Sequence, residues 1–181
     1  MGVITDIIGS IVVRGMIIAI VIGLTVMLRD ELFRRTSAAT TYQTLSVVGS
    51  VIEKDLTSAG YNVAVRPVFL KADSDDCKFM GDVDNNGIVD TVEFVLAREA
   101  GDTDPNSKIR ILTRTLGGTP LQITRAPVTM KFEYYDSLSV STTNLLKVNS
   151  ISVLLSQWDS YQSDNPKAIV RKEIRVFPSN L

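Results

Sequence analysis

The stretch that decides the fold is the apolar run IIGSIVVRGMIIAIVIGLTVML at residues 7–28. Its length is about what a helix needs to cross a bilayer core of ~30 Å, and Arg14 is its one charged residue. The run predicts a membrane-spanning helix, with a buried core helix as the competing interpretation. A cleaved signal peptide fits less well, because no basic residues precede the run and no small-residue cleavage site follows it.

Two charges lie where lipid is expected, Asp6 just before the run and Arg14 about two turns later. On insertion scales a charge near the middle of a bilayer costs about 2.5–3.5 kcal/mol, so such charges usually have partners. A neighbouring subunit, the N-terminal amine or lipid headgroups could supply them. Snorkelling of the Arg14 side chain to one membrane interface is the alternative.

The run ends in a dense group of charges: Arg29, Asp30, Glu31, Arg34 and Arg35. Both signs occur in this group, so the excess of Lys and Arg that marks cytoplasmic loops does not orient the span.

The helical pattern continues beyond these charges. Residues 36–59 contain no proline, and apolar residues recur there at spacings of three and four: Leu45, Val48, Ile52, Leu56 and Ala59. Gly60 then supplies a C-terminal stop. The sequence predicts one long helix over about residues 3–59, with its first half in lipid and its amphipathic second half packed on a sheet.

After Tyr61 the pattern changes to short alternating runs separated by Pro, Gly, Asp and Asn. The predicted strands are 63–70, 88–96, 108–116, 128–135, 148–155 and 168–177. An antiparallel sheet covering the helical stripe gives an α+β fold. The predicted division is a membrane half with its charged residues at 1–35 and a globular domain at 36–181.

The composition excludes several classes of function. The chain has 181 residues, no histidine and a net charge of -1. Without histidine no Ser-His-Asp or Cys-His centre exists, and without a basic surface nucleic-acid binding is not expected. Cys77 is the single cysteine, and its polar neighbours Asp75, Asp76 and Lys78 predict an exposed surface thiol.

Several short segments, taken in order, carry a resemblance. Residues 55–61 read DLTSAGY, 84–96 read DNNGIVDTVEFVL, 128–135 read VTMKFEYY, 148–155 read VNSISVLL and 176–181 read VFPSNL. They resemble the D-L-x-x-A-G-Y, D-x-x-G-x-x-D-T-[IV]-x-[FY], V-x-x-x-F-x-Y, I-x-V-x-L and V-x-P-x-N-L segments of the type IV pilin superfamily. Within it they are similar to the minor pilins and pseudopilins of type IV pili and type II secretion.

The resemblance covers almost the whole chain and implies a structural, non-enzymatic subunit. Such a subunit assembles with homologous subunits through its N-terminal helix and is held in membrane lipid. Its β-rich domain then lies outside the cytoplasm, either on the inner membrane or in an extracellular filament. In this interpretation Asp6 and Arg14 serve intramembrane pairing and subunit assembly.

One feature departs from the family pattern. Prepilins carry a short basic leader ending in Gly, and a Glu at the fifth mature position, whereas this sequence shows no leader. If Met1 is removed before Gly2, Asp6 becomes the fifth residue and can stand in for that glutamate, which in the family neutralises the N-terminal amine of the adjacent subunit. The alternatives are a leader missing from this sequence and a pilin-like protein that is never processed.

The strongest local chemical pattern is DVDNNGIVDTVE at residues 82–93. It satisfies the D-x-D-x-[DN]-G-x5-E spacing of a calcium loop, in which Gly87 permits the sharp turn. The predicted Ca²⁺ ligands are the side chains of Asp82, Asp84, Asn86, Asp90 and Glu93 with the carbonyl of Ile88. The alternative is a solvated hairpin turn, because no flanking helices are predicted and strand alternation directs Glu93 away from the face of Val92 and Phe94.

Three functional hypotheses remain. The first is a pilin or pseudopilin-like filament subunit, and the second is a membrane-anchored binding or adhesion module of the envelope that does not polymerise. The third, a tethered hydrolase, requires a catalytic carboxylate pair, and no such pair is identified in the sequence.

Overall fold

The computed structural model describes residues 2–104, 107, 109–158, 168–178 and 180, with side chains from residue 9 onward except those of 168 and 169. Contacts divide the chain into two compact units, Met1–Thr40 and Thr41–Leu181. The division at residues 35 and 36 stays a prediction.

The predicted long helix is confirmed as α1, which spans Gly2–Thr57. It ends in a tightened turn, in which the amides of Ser58 and Ala59 donate to the carbonyls of Asp55 and Leu56 three residues back. Gly60 follows with a φ of 80°, the left-handed conformation that closes many helices.

The apolar half of α1 is exposed among the residues that the structure describes. Every side chain from residue 9 to residue 36 is exposed. In the part of the chain that the structure describes, α1 is the one helix long and apolar enough to cross a membrane.

The second unit contains two antiparallel sheets. The strands are β1 (Phe69–Ala72), β2 (Asp76–Gly81), β3 (Asp90–Arg98), β4 (Arg110–Leu116), β5 (Thr119–Ala126), β6 (Val128–Tyr135), β7 (Ser150–Trp158) and β8 (Ala168–Val176). The first five form one sheet in sequential order, and the last three form a second.

The core of the second unit lies between the end of α1 and the sheets. The predicted stripe is confirmed, since its members are each at most 2% exposed: Leu45, Val48, Ile52, Leu56 and Ala59. They belong to one buried cluster with Phe79 and Phe94 of the first sheet and Ile151 and Leu155 of the second. The fold is therefore α+β, as the sequence predicts.

The strand predictions need correction. Of the predicted strand 63–70 only Phe69 and Leu70 belong to β1, and neither β2 nor β5 is predicted by the sequence. In β2 the inward residues Cys77 and Phe79 alternate with Asp76 and Lys78, but the run is short and the acidic residues before it are typical of a loop. In β5 the sequence TPLQITRA has no buried face that would give a periodic signal.

The prediction of an exposed Cys77 is wrong. Its side chain is fully buried in β2, while Asp76 and Lys78 beside it point to the other face of the strand. Burial raises the pKa of Cys77 to about 12, so the thiol is protonated at neutral pH.

Candidate functional site

The loop at residues 82–93 is held at both ends by the first sheet. Gly81 of β2 pairs with Asp90 of β3, so the loop connects two antiparallel strands and not two helices. The amide of Asp82 donates to the carbonyl of Tyr61 at 3.1 Å. Gly81 lies against the Ser58 carbonyl, since a Cβ at Gly81 would be 2.3 Å from that oxygen. The start of the loop is thus fixed to the end of α1.

Asp82 is the centre of the loop's hydrogen bonding. Its side chain is buried, and it accepts hydrogen bonds of 2.9 Å from the amides of Asn86 and Gly87 and from Asn62 Nδ2. Burial alone would raise the pKa of Asp82, but these donors together hold its pKa below the usual value. Asp82 is therefore a carboxylate at neutral pH.

The middle of the loop is a tight polar turn. Asp84 Oδ2 accepts a hydrogen bond of 2.8 Å from Asn86 Nδ2, and Asn86 Oδ1 accepts one of 2.7 Å from the amide of Ile88. Asn85 and Gly87 both have positive φ values, of 60° and 85°. The amide of Asn86 donates to both Asp82 Oδ1 and Asp84 Oδ1, at 2.9 and 3.2 Å, so these two carboxylates lie close together.

Asp90 closes the loop and is poorly satisfied. Its Oδ2 atom is buried and has no hydrogen-bond partner among the residues that the structure describes. Burial, followed by the negative charges of Asp84 and Asp82, raises the pKa of Asp90, and Arg114 opposes that shift. The carboxylates of the loop therefore repel one another in the absence of a cation.

Glu93 and Ile88 lie differently from the loop's other predicted ligands. Glu93 pairs across the strands with Lys78, at 3.2 Å between Oε2 and Nζ. Ile88 is 66% exposed at the tip of the loop. The structure thus brings Asp82, Asp84 and Asn86 together with Asp90 nearby, while the Glu93 carboxylate is engaged by a lysine.

Within the described ranges, no group of three or more His, Cys, Asp or Glu side chains converges in a way that could hold a metal ion. A calcium site at this loop would therefore require movement of carboxylate side chains and use of carbonyl oxygens, which supply part of the six to eight ligands of many calcium sites.

A buried ion pair beside this loop was missed by sequence reasoning. Arg114 of β4 donates through Nε and Nη2 to Asp55 of α1, at 2.5 and 3.2 Å. The signal in the sequence is the alternation of β4, which places Arg114 on the same face as the buried Leu112. An arginine on an apolar face requires a partner, and the partner is the first residue of DLTSAGY.

The segment closing the chain meets the segment closing the helix. The carbonyl oxygen of Asn180 lies so close to Gly60 that a Cβ there would be 2.4 Å away. Only a glycine leaves room for this approach. The segments DLTSAGY and VFPSNL, which are 115 or more residues apart by their numbers, are therefore in contact.

In the apolar part of α1, Thr25 and Arg14 differ in whether their polar groups have hydrogen-bond partners. Thr25 Oγ1 donates to the carbonyl of Val21 at 2.7 Å, so its hydroxyl is satisfied within the helix. Arg14 is exposed, and no described residue forms a hydrogen bond or ion pair with it. Asp6 lies on α1, and its side chain is outside the described residues.

Comparison with known proteins gives no match: no family model, no curated protein and no solved structure is similar to this chain.

Proposed function

We propose that the chain is a structural subunit of a type IV pilus or type II secretion-type filament, of the minor pilin or pseudopilin kind. In this proposal the first half of α1 anchors the subunit in the inner membrane and packs against the helices of homologous subunits. The second unit, Thr41–Leu181, lies in the periplasm or on the filament surface. The proposal assigns no catalytic role to the chain.

The observation that carries this proposal is the change of environment along one helix. From residue 9 to 36 every described side chain is exposed, whereas Leu45, Ile52 and Leu56 of the same helix are buried. An apolar surface as long as the first half needs cover from lipid or from other helices. A filament subunit uses both covers, first the membrane and then its neighbours.

The contact between the two closing segments also supports the proposal. DLTSAGY and VFPSNL belong to the resemblance, and the approach of Asn180 to Gly60 gives both a shared structural role. Asp55 adds the ion pair to Arg114 at the same end of α1. Two of the five segments that resemble pilins thus meet at the end of α1.

The direct test is to shear extracellular material from cells that produce the full chain and analyse it by electron microscopy and mass spectrometry. The proposal expects this chain in filaments, together with homologous subunits. Recovery from the membrane fraction alone, in cells whose filaments are intact, would contradict it and favour an anchored binding module that does not polymerise.

A second part of the proposal concerns calcium. We propose that Ca²⁺ orders the loop at 82–93, with Asp82, Asp84, Asn86, Asp90 and the Ile88 carbonyl as ligands and Glu93 recruited from Lys78. The support is the unsatisfied Oδ2 of Asp90 and the mutual repulsion of the loop carboxylates. A divalent cation would give Asp90 Oδ2 a partner and would offset the repulsion among the carboxylates.

Thermal unfolding of the full chain in detergent micelles, with and without CaCl2, tests this part. At a hundredfold excess over the dissociation constant, calcium should stabilise the domain by about 2.7 kcal/mol. Asp82→Asn should abolish the gain, while Asp73→Asn, an exposed acid outside the loop, should retain it. An equal calcium response in all three proteins would show that the loop is not the site.

A further inference from the structure

The sequence contains one asparagine that is followed directly by glycine, at Asn86 and Gly87 in the middle of the loop at 82–93. Both residues are exposed, and nothing lies within 4 Å of the place where a Cβ on Gly87 would be. The side-chain amide carbon of an asparagine is an electrophile, and the backbone nitrogen of the next residue can attack it. Glycine leaves that nitrogen uncovered, because it has no side chain.

The turn folds the Asn86 side-chain amide back over the Gly87 peptide unit. Asn86 Oδ1 accepts a hydrogen bond of 2.7 Å from the amide of Ile88, and the ring closed by this bond contains both Asn86 Cγ and the Gly87 nitrogen. Asn86 Nδ2 donates to Asp84 Oδ2 at 2.8 Å, which fixes the rotation of the amide. The turn therefore restrains the two reacting atoms before the reaction starts, and this lowers its entropic cost.

The hydrogen bonds of the loop also supply the groups that such an attack needs. The amide of Ile88 donates to Asn86 Oδ1, the atom on which negative charge develops when Cγ is attacked. The amide of Gly87 donates to Asp82 Oδ2 at 2.9 Å, a distance within the reach of a general base. A nucleophile, a proton acceptor and a donor to the oxyanion are thus present in one turn.

We infer that Asn86 is a site of spontaneous deamidation in the folded protein, with water as the co-reactant. The Gly87 nitrogen gives its proton to Asp82 and bonds to Asn86 Cγ. The Cγ–Nδ2 bond then breaks, and ammonia leaves with that proton, which returns through solvent. Water opens the resulting succinimide ring. Addition of water at Cγ gives aspartate at position 86, and addition at the main-chain carbonyl carbon gives isoaspartate.

The product changes the loop in one direction only. A carboxylate at position 86 cannot donate to Asp84 as Asn86 Nδ2 does, and it adds a negative charge beside Asp82 and Asp84. Isoaspartate lengthens the backbone within the turn. Because water does not restore the amide, the converted fraction rises with the age of each chain. Neither calcium binding nor filament assembly enters this inference, so its failure leaves the proposed function standing.

Asn144 is a matched control within the same chain. It is exposed, and its Oδ1 atom accepts a hydrogen bond of 3.1 Å from the amide of Leu146, two residues further on. The residue that follows it is Leu145, whose side chain hinders the approach of the backbone nitrogen. Asn86 and Asn144 therefore share the same type of turn and differ in the residue that follows, so a difference in their reactivity reports on the glycine.

Peptide mapping of the aged protein tests the inference. The full chain in detergent micelles is incubated at neutral pH with a calcium chelator and digested with trypsin in heavy-oxygen water, which marks any change made during digestion. Mass spectrometry of the peptides 79–98 and 132–147 locates the converted residue. The acid should form at least about tenfold faster at Asn86 than at Asn144, which is a barrier difference of about 1.4 kcal/mol. Gly87→Ala should slow the conversion of Asn86 by about the same factor.

Equal rates at Asn86 and Asn144, or an unchanged rate at Asn86 in Gly87→Ala, would overturn the inference. Because Gly87 has a φ of 85°, alanine is strained there, so the wild-type chain is also aged in urea. We expect Asn86 to convert in the folded chain at least as fast as in the unfolded chain. A slower rate in the folded chain would show that the turn protects Asn86, and it would refute the inference without any variant.

Discussion

The two halves of α1 share one secondary structure and differ in everything that surrounds it. Each half carries an acid paired with an arginine. In the first half the side chains of Glu31 and Arg35 are 55% and 77% exposed. In the second half those of Asp55 and Arg114 are 4% and 15% exposed. Because the two ion pairs differ in burial, we expect them to contribute differently to stability.

The largest expected difference concerns these two ion pairs. Asp55→Ala leaves Arg114 buried without a partner and should lower the free energy of unfolding by about 3–5 kcal/mol. Arg35→Ala removes an exposed pair and should change it by at most about 0.5 kcal/mol. Urea unfolding in detergent micelles, followed by near-ultraviolet circular dichroism, measures both. Similar effects for the two variants would break the comparison.

Truncating an apolar side chain should also lower the free energy of unfolding more in the second half of α1 than in the first. Leu56→Ala opens a cavity in the core and should cost about 2–5 kcal/mol. Ile17→Ala, in the exposed apolar half, should change the unfolding of the domain by at most about 0.5 kcal/mol. The same urea experiment compares them. A large loss of domain stability for Ile17→Ala would mean that the first half of α1 packs on the domain.

Two glycines, Gly81 in the domain and Gly23 in the first half of α1, differ in the space around them. A Cβ at Gly81 would lie 2.3 Å from the Ser58 carbonyl, whereas nothing lies within 4 Å of Gly23 in the first half. Gly81→Ala should therefore destabilise the domain by about 1–3 kcal/mol. Gly23→Ala should leave domain unfolding unchanged, because alanine only improves the local helix propensity. Equal stability of Gly81→Ala and the wild type would show that the strand end has room to move.

The smallest expected effect concerns Cys77, in the core beneath the second half. Its pKa is raised to about 12, so the stability that it contributes is present below the unfolded pKa of about 8.5 and is lost as the pH rises towards 12. Between pH 8 and pH 9.5 the loss should be about 1 kcal/mol. Cys77→Ala removes this part of the pH dependence. Identical pH profiles for the two proteins would contradict the burial of the thiol.

Sequence reasoning reached the helix and its buried stripe because both depend on local periodicity. The spacing of Leu45, Ile52 and Leu56 predicts one face, and no proline interrupts the helix. It missed β2 because the alternating run is short and follows Asp73, Asp75 and Asp76, which are typical of a loop. The boundary between the two sheets was missed for another reason, since strand pairing is set by contacts distant in sequence.

The loop at 82–93 was easier to predict from the sequence than the two ion pairs beside it. The spacing of Asp82, Asp84 and Asn86 is local, so the turn that brings them together follows from the sequence. The pairing of Glu93 with Lys78 depends on the register of β2 and β3. Likewise Asp55 meets Arg114 only through the packing of α1 on the first sheet, across 59 positions of sequence.

The most direct test of the account is cysteine labelling along α1 in intact cells with a small, membrane-impermeant maleimide. Cysteines replace Met16 and Ile20 in the first half, and Tyr42 and Val47, which are exposed, in the second. The account predicts labelling at 42 and 47 and none at 16 and 20. Labelling at all four positions, or at 42 and 47 only after lysis, would contradict an anchored first half and a domain outside the cytoplasm.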